Sequence, residues 1–381
     1  MKNHRFAAFG VLMAIWATGA LLSVGASADD DITVGATVPI TGPLAGSGLQ
    51  YYDSLQMARD DINAAGGING RKLKIQFEDT QASNSTAVNA FIRLVQEQNP
   101  PFIFLSSYTV QNLATEPEVA NAKVPVVYAG GAVSIAERKN PYMFRIRPPD
   151  NIGAEAMAPA IASELKVKKV GIIHVQDDYG TASAAAAAAA IEKAGMTVVA
   201  NESYNIRDND FAPQLLNIKN KGAEVLIAIS YVRDGALVLS QRHTLGLDIP
   251  FFGNPSFILS SLLALVGPAE MHNVYAMPDA YLNEKAGKSA DYMKRFAARF
   301  NMRADPFGSC YYDAAMMLAD AMRKVGLDRE KIRDYFAHVQ DYAGVTRSFK
   351  TDALGEMSHS VALVKFDEGS KEFHFIRNYP E

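Results

Sequence analysis

The stretch "MFRIRPPD", Met143 to Asp150, decides the fold. Before it, short β-rich runs alternate with amphipathic stretches, a pattern that calls for a parallel sheet covered by helices. The segment itself breaks that rhythm with arginines and a Pro-Pro pair, and after it the alternation starts again at "VKKVGIIHV". A halt followed by a restart predicts two α/β lobes, with Met143–Asp150 as a crossing between them.

Working outward, the first lobe opens on the strand "ITVGATVPI" and a small-residue loop. A helix follows in which Tyr52, Leu55, Ala58 and Ile62 recur at helical spacing, and it stops at Gly66-Gly67. "KLKIQFED", "FIFLS" and "VPVVYAGG" read as three further strands, separated by "STAVNAFIRLVQEQ" and "TVQNLATEPEVANA" as helices. Beyond the crossing come strands in "MTVVANESY", "EVLIAIS" and "IPFFGN". The alanine run Ala184 to Ala190 reads as one closely packed helix, because alanine has the best helix propensity and "DYG" and Gly195 bound the run. The later helical stretches "SADYMKRFAARFN" and "SCYYDAAMMLADAMRKVG" would be orphaned unless the chain returns to the first lobe; it ends in the β-rich "VALVKFDEGSKEFHFIRNY". The expected division is residues 29–149 plus 277–356 for the first lobe and 150–276 plus 357–381 for the second, with a cleft between their strand ends.

The N-terminus carries a separate message. Lys2 and Arg5 precede an apolar run from Phe6 to Leu22 that closes on Ala26-Ser27-Ala28, the pattern of a cleaved export signal over residues 1–28. No cysteine stands at the expected cleavage point, so a free periplasmic protein is expected rather than a lipoprotein. The formal net charge of −4 argues against nucleic acid as a partner, and the lone cysteine, Cys310, excludes an intrachain disulfide.

Enzyme chemistry finds little to stand on. "GSG" at Gly46 to Gly48 lies between strand and helix, but the third glycine of a dinucleotide fingerprint would fall on Tyr51, and no GK[ST] follows. His174, Asp177 and Asp178 cluster in "HVQDDYG", yet no G-x-S-x-G supplies a nucleophile, and His174 reads as a core or edge residue of an apolar strand. The seven histidines never fall at metal-ligand spacing, so neither metal nor cofactor is called for.

A binding cleft asks instead for small residues, hydroxyls and free N–H groups at strand ends. The first lobe offers Thr41, Gly42, Ser47 and Gly48, then Ser106 and Ser107, then Gly130 and Gly131. The second offers Tyr179, Tyr231 and the run Asn254, Pro255, Ser256. Each loop alone is ordinary turn chemistry; three converging loops make a site. Tyr179 and Tyr231 are either cleft aromatics or rim residues. Arg145 and Arg147 read as structural, bonding loop carbonyls, while Cys310 and the Met316-Met317 pair read as core.

"ITVGATVPITGPLAGSG", "ARDDINAAGGINGRKLKIQFEDT", "DYG" and "YDAAMMLADAM" together resemble the periplasmic binding proteins of branched-chain amino acid type ABC transporters, over nearly the whole mature chain. The resemblance implies a type I binding fold of two doubly wound lobes joined by three hinge crossings, no catalysis, and ligand capture by lobe closure. Carried over by position, the carboxylate-holding loop falls on Ser106 and Ser107. The loop that adds N–H groups and a threonine hydroxyl falls on Gly130, Gly131 and Ala132, so that hydroxyl is absent. The first-loop contact falls near Ser47, the crossing aspartate on Asp150, and the second-lobe tyrosines on Tyr179 and Tyr231. The acidic residue that holds a ligand ammonium falls on "GNPS", at or beside Pro255. A buried ammonium without a carboxylate partner is poorly compensated. Asp150 alone could still serve such a group, so the expected ligand is a small carboxylate with an apolar or aromatic body, an aromatic or aliphatic acid or else a hydrophobic amino acid, delivered to an inner-membrane ABC permease by a monomer. A sensory binding protein of the same fold is the alternative.

Overall fold

The apolar runs assemble into two separate parallel-based sheets, and the chain passes between them three times. The structure is a computed structural model describing residues 31–285 and 287–380; the expected export signal lies outside them. No helix among the described residues is long and apolar enough to cross a membrane.

The first sheet contains β1 (Ile32–Val38), β2 (Leu73–Asp79), β3 (Ile103–Phe104), β4 (Val126–Tyr128) and β5 (Met143–Arg145), in the order β2-β1-β3-β4-β5, all parallel. Between these strands run α1 (Ala45–Ala64), α2 (Asn84–Gln98), α3 (Thr109–Ala122) and α4 (Ser134–Glu137). The second sheet begins after α5 (Asp150–Glu164) with β6 (Lys169–Val175), β7 (Thr197–Tyr204), β8 (Val225–Ile229), β9 (Phe251–Gly253) and β10 (Val274–Ala276). Its helices are α6 (Asp178–Lys193), α7 (Ala212–Asn220), α8 (Val232–Thr244) and, after a 3₁₀ turn at Pro255–Ile258, the short α9 (Ser260–Leu263). The chain then returns to the first core through α10 (Gly287–Phe300), α11 (Pro306–Val325), α12 (Arg329–Ala337) and the small hairpin β11 (Tyr342–Ala343) and β12 (Ser348–Phe349). It ends in β13 (Val361–Asp367) and β14 (Glu372–Tyr379), which extend the second sheet antiparallel, giving β14-β13-β10-β9-β8-β6-β7.

Each core has a simple cause. α1 turns Leu55, Ala58 and Ile62 inward, and α11 brings Tyr311, Ala314, Ala315 and Leu318 against the same face of the first sheet. Tyr52 lies at the margin of that core, against Phe77, and Cys310 is buried within it. Phe91, Leu94 and Val119 of α2 and α3 cover the other face. In the second lobe the alanine run is indeed one helix, α6, whose Ala184, Ala187 and Ile191 pack inward.

Two local readings need correction. The stretch taken wholly as a crossing begins with a strand, because Met143–Arg145 pairs with Val126–Tyr128. Arg145 hid that strand. Its buried guanidinium donates to the carbonyls of Gly130 at 2.7 Å and Ala132 at 2.8 Å and pairs with Glu356 at 2.9 Å, so an arginine occupies a core position without facing water. The opening loop is also shorter than expected, since Gly46, Ser47 and Gly48 already belong to the first turn of α1. Gly48 is required there by packing: a Cβ would stand 1.8 Å from the Pro39 carbonyl oxygen, so its small size admits backbone rather than ligand.

Candidate functional site

In an open parallel sheet, ligands collect where strand order reverses, because neighbouring connections leave toward opposite faces and open a crevice. The first sheet reverses between β1 and β3, the second between β6 and β8. The segments leaving those four strands carry Ser47, Ser107, Tyr179 and Tyr231, and all four line one cavity of about 480 Å³ between the lobes.

Nine of the twelve residues singled out in the sequence share that wall: Ser47, Ser107, Gly131, Asp150, Tyr179, Tyr231, Asn254, Pro255 and Ser256. Ser106, Gly130 and Ala132 stand one layer behind it. Ser106 donates to Gln111 Oε1 at 2.6 Å, and its carbonyl accepts from Asn112 Nδ2 at 3.0 Å. The Gly130 N–H goes to Asn112 Oδ1 at 3.1 Å and the Ala132 N–H to Thr109 Oγ1 at 3.1 Å. These bonds clamp the two loops together and leave Gly131 and Ser107 between them at the cavity. Thr41 is turned away on Asp79, and His174 is a buried β6 residue that does not line the cavity.

The head of the cavity is a donor cradle. α3 starts at Thr109, and the first N–H groups of a helix lack intrahelical acceptors and face along the positive end of its dipole. Thr109 itself lines the cavity, so it supplies a hydroxyl beside Ala132, whose own side chain has none. Ser107 Oγ donates to Tyr51 Oη at 2.5 Å. Gly131 is fixed by close approach: a Cβ would fall 1.4 Å from Asp150 Oδ2.

Rings form the body. Tyr51, Tyr108 and Phe307 come from the first lobe, Tyr179 and Tyr231 from the second. Tyr231 meets Tyr179 with centroids 5.5 Å apart and, across the cleft, meets Tyr108 edge-on at 5.7 Å. Tyr231 is held by Asp177 Oδ2, which accepts its hydroxyl at 2.7 Å, while Asp177 Oδ1 caps α6 through the Gly180 N–H at 2.8 Å. Asn254 Nδ2 donates to Tyr179 Oη at 2.6 Å. Leu44, Leu259 and Leu265 line the remainder with aliphatic surface.

One charged cluster borders the site. Arg147 donates through Nε and Nη2 to both oxygens of Asp279 and through Nη2 to Asp150 Oδ1 at 2.5 Å, with its guanidinium 4.9 Å from the Phe307 ring centre. Burial works against that guanidinium, but the two carboxylates outweigh it and hold its pKa well above the usual value. Burial pushes the Asp150 carboxyl up despite Arg147. Arg147 does bond a loop carbonyl, that of Ala129 at 3.3 Å, and it also reaches the cavity wall.

Tyr51, Tyr108, Thr109 and Phe307 are among the wall residues that the sequence reading left unassigned, and Arg147 is one it read as structural only. Thr109 carried a usable signal, as the first residue of a helix entered from "SSY"; Phe307 carried none, because it arrives from α11, far away in sequence.

Two lobes, each presenting the reversal point of its sheet to a shared ring-lined cavity, define a hinged solute-binding protein. The chain belongs to the periplasmic binding protein family, which matches residues 31–371. It is 27% identical over 349 residues to Leu/Ile/Val-binding protein homolog 3 of Brucella melitensis, covering 92% of each chain. It is 26% identical over 308 residues to the leucine-, isoleucine-, valine-, threonine- and alanine-binding protein of Pseudomonas aeruginosa, covering 81% of this chain and 82% of that one. Among solved structures, the branched-chain amino acid transporter substrate-binding protein of Streptococcus pneumoniae, in complex with isoleucine, superposes with a TM-score of 0.83 at 20% identity, covering 91% of this chain and 99% of that one. A solute-binding protein of an ABC transporter from Rhodopseudomonas palustris, in complex with 3,4-dihydroxybenzoic acid, gives 0.84 at 20% identity, covering 92% and 97%.

Proposed function

We propose that this protein is the periplasmic substrate-binding component of an ABC importer of the branched-chain amino acid transporter type, and that it captures a small carboxylate with an apolar or aromatic body. The names of its relatives support the transporter type. The observation that carries the ligand class is the pairing of a donor cradle at Ser107, Thr109 and Gly131 with five aromatic rings; the resemblance adds that the acid that would hold an ammonium falls at or beside Pro255, a further wall residue. Asp150, the acid at the wall, is already engaged by Arg147. Arg147 holds its Oδ1, and its Oδ2, which has no hydrogen-bond partner among the described residues, lies against Gly131, so an α-amino group would find one carboxylate already shared with an arginine, and its desolvation would be only partly offset.

In this reading the lobes are residues 29–149 plus 277–356 and 150–276 plus 357–381, and residues 1–28 are removed on export. The ligand carboxylate binds the first lobe in the open form. Closure adds Tyr179, Tyr231 and Asn254 from the second, and contacts made by both lobes shift the population to the closed form that an inner-membrane permease recognises. The protein acts as a monomer and carries out no chemistry on its ligand. Calorimetry against benzoate, aliphatic acids, leucine and valine tests the proposal. Micromolar or tighter binding of an acid lacking the amino group supports it; sub-micromolar leucine or valine binding with no response to any such acid overturns it.

A further inference from the structure

The two halves of the molecule also touch outside the cavity wall. Gln50 on α1, a helix of the first core, and Ser260 on α9, whose Leu262 belongs to the second, meet around the carbonyl of Arg303. Gln50 Nε2 donates to that carbonyl at 2.9 Å and to Ser260 Oγ at 3.3 Å, and Ser260 Oγ donates in turn to the same carbonyl at 3.4 Å. The next residue, Ser261, lies against Gly46, one turn before Gln50 on the same face of α1. A Cβ on Gly46 would stand 3.3 Å from Ser261 Cβ, so the absence of a side chain there lets α9 seat close against α1.

Neither Gln50 nor Ser260 lines the cavity. Their contact therefore does not depend on what the cavity holds, unlike the packing of Tyr108 on Tyr231, which lies within the wall. Arg303 adjoins Met302 and Ala304, which pack in the first core, so Gln50 keeps that carbonyl when the lobes part and loses only Ser260. The Gln50 side chain is buried in the arrangement seen here, and hydrogen bonds to Ser260 and Arg303 stand in for the water its amide gives up. Its Oε1 has no partner among the described residues, a cost that leaves the contact weak enough to open.

Resting on the lobe-closure reading above, we propose that Gln50 and Ser260 are positioning residues that latch the lobes together whether or not the cavity is filled. A contact that ignores the ligand raises the closed fraction of the empty protein, and it raises the affinity of every ligand that needs the closed form by the same factor. The cavity wall selects the ligand; the latch sets how tightly any selected ligand is held.

The test needs no ligand. Gly46→Cys with Ser261→Cys places two Cβ atoms close to the span of about 3.5–4.5 Å that a disulfide bridges, and the chain's own cysteine, Cys310, is buried elsewhere. The full mature chain carrying this pair is stripped of ligand by unfolding and refolding, then equilibrated with oxidised and reduced glutathione. Two protein thiols become one disulfide as one glutathione disulfide becomes two glutathione thiols, so the equilibrium constant reports the closed fraction. The disulfide is expected to form without ligand, and adding Ser260→Ala is expected to lower its constant by about threefold or more. Small-angle X-ray scattering of the oxidised and reduced Ser260→Ala chains reads the lobes themselves, and the oxidised form is expected to be the more compact. Equal constants with unequal radii overturn the latch and leave lobe closure standing. No disulfide in either chain means that α9 does not reach α1 in the empty protein, which also overturns the latch. Equal radii overturn lobe closure and the latch with it.

Discussion

Arg147 and Asp279 form a two-pronged ion pair, Nε to Oδ2 at 2.6 Å and Nη2 to Oδ1 at 2.8 Å, that ties the first passage between the lobes to the second. The same guanidinium holds Asp150 at the start of α5. Arg347 extends the arrangement by donating to the carbonyl of Ser360 at 2.7 Å, on the third passage. One arginine therefore joins the hinge to the cavity wall.

Replacing Arg147 with methionine is expected to destabilise the protein by about 3–5 kcal/mol, because it leaves two buried carboxylates without a cation. Lysine is expected to restore only part of this loss, since a point charge cannot reproduce the fork that meets Asp279. Thermal unfolding of the two variants side by side measures the difference.

Gly131→Ala drives a methyl group into Asp150, with only 1.4 Å between the new Cβ and Oδ2. Stability is expected to fall by about 1–3 kcal/mol and ligand affinity by more than about tenfold. Adding Asp150→Ala removes the clash, so the double variant is expected to be more stable than the sum of the two single effects predicts. Strict additivity would contradict the contact.

Pro255→Glu places a carboxylate in the cavity wall. Affinity for carboxylate ligands is expected to drop by about tenfold or more, while leucine, with its ammonium now partnered, gains affinity. Calorimetry with both ligands reads the exchange; unchanged preference would count against the assignment of this turn.

Asp305 provides a pH signature. It caps α11 through the Gly308 N–H at 2.8 Å, and burial pushes its carboxyl from the ordinary 3.8 up to about 7. Between those values the folded protein holds a proton that the unfolded chain releases, so stability falls as pH rises from about 4 to about 7. Asp305→Asn keeps a capping oxygen and abolishes the titration. Its stability should match the wild type near pH 4 and exceed it at pH 8 by at least about 1.4 kcal/mol, the equivalent of one pH unit. Denaturant unfolding at the two pH values measures this.

The fold was legible in the sequence because alternation of apolar runs is local. Thr109–Ala122 could be bounded from "TVQNLATEPEVANA", and the halt at Met143 marked the change of lobe. The strand Met143–Arg145 was not legible, since its arginine is satisfied by carbonyls from a neighbouring loop. The site was legible only as far as strand ends reveal it. Loop position cannot say which of Ser106 and Ser107, or of Gly130 and Gly131, turns outward, because cross-loop bonds from Asn112 and Thr109 decide that. Nor could it reveal Tyr51 or Phe307, which reach the cavity from helices whose other faces are core.

β13 and β14, the last strands of the chain, lie in the second sheet, while α10 to α12, which precede them, complete the core of the first. A chain made from its N-terminus therefore acquires the first sheet and the parallel strands of the second well before it can close either core. Neither lobe matures as an independent module during synthesis, and the two are finished almost together. The ordering delays the cavity as well: Phe307 arrives late, so the pocket exists only in a nearly complete chain, and a product truncated before Val361 would lack the strands that finish the second sheet.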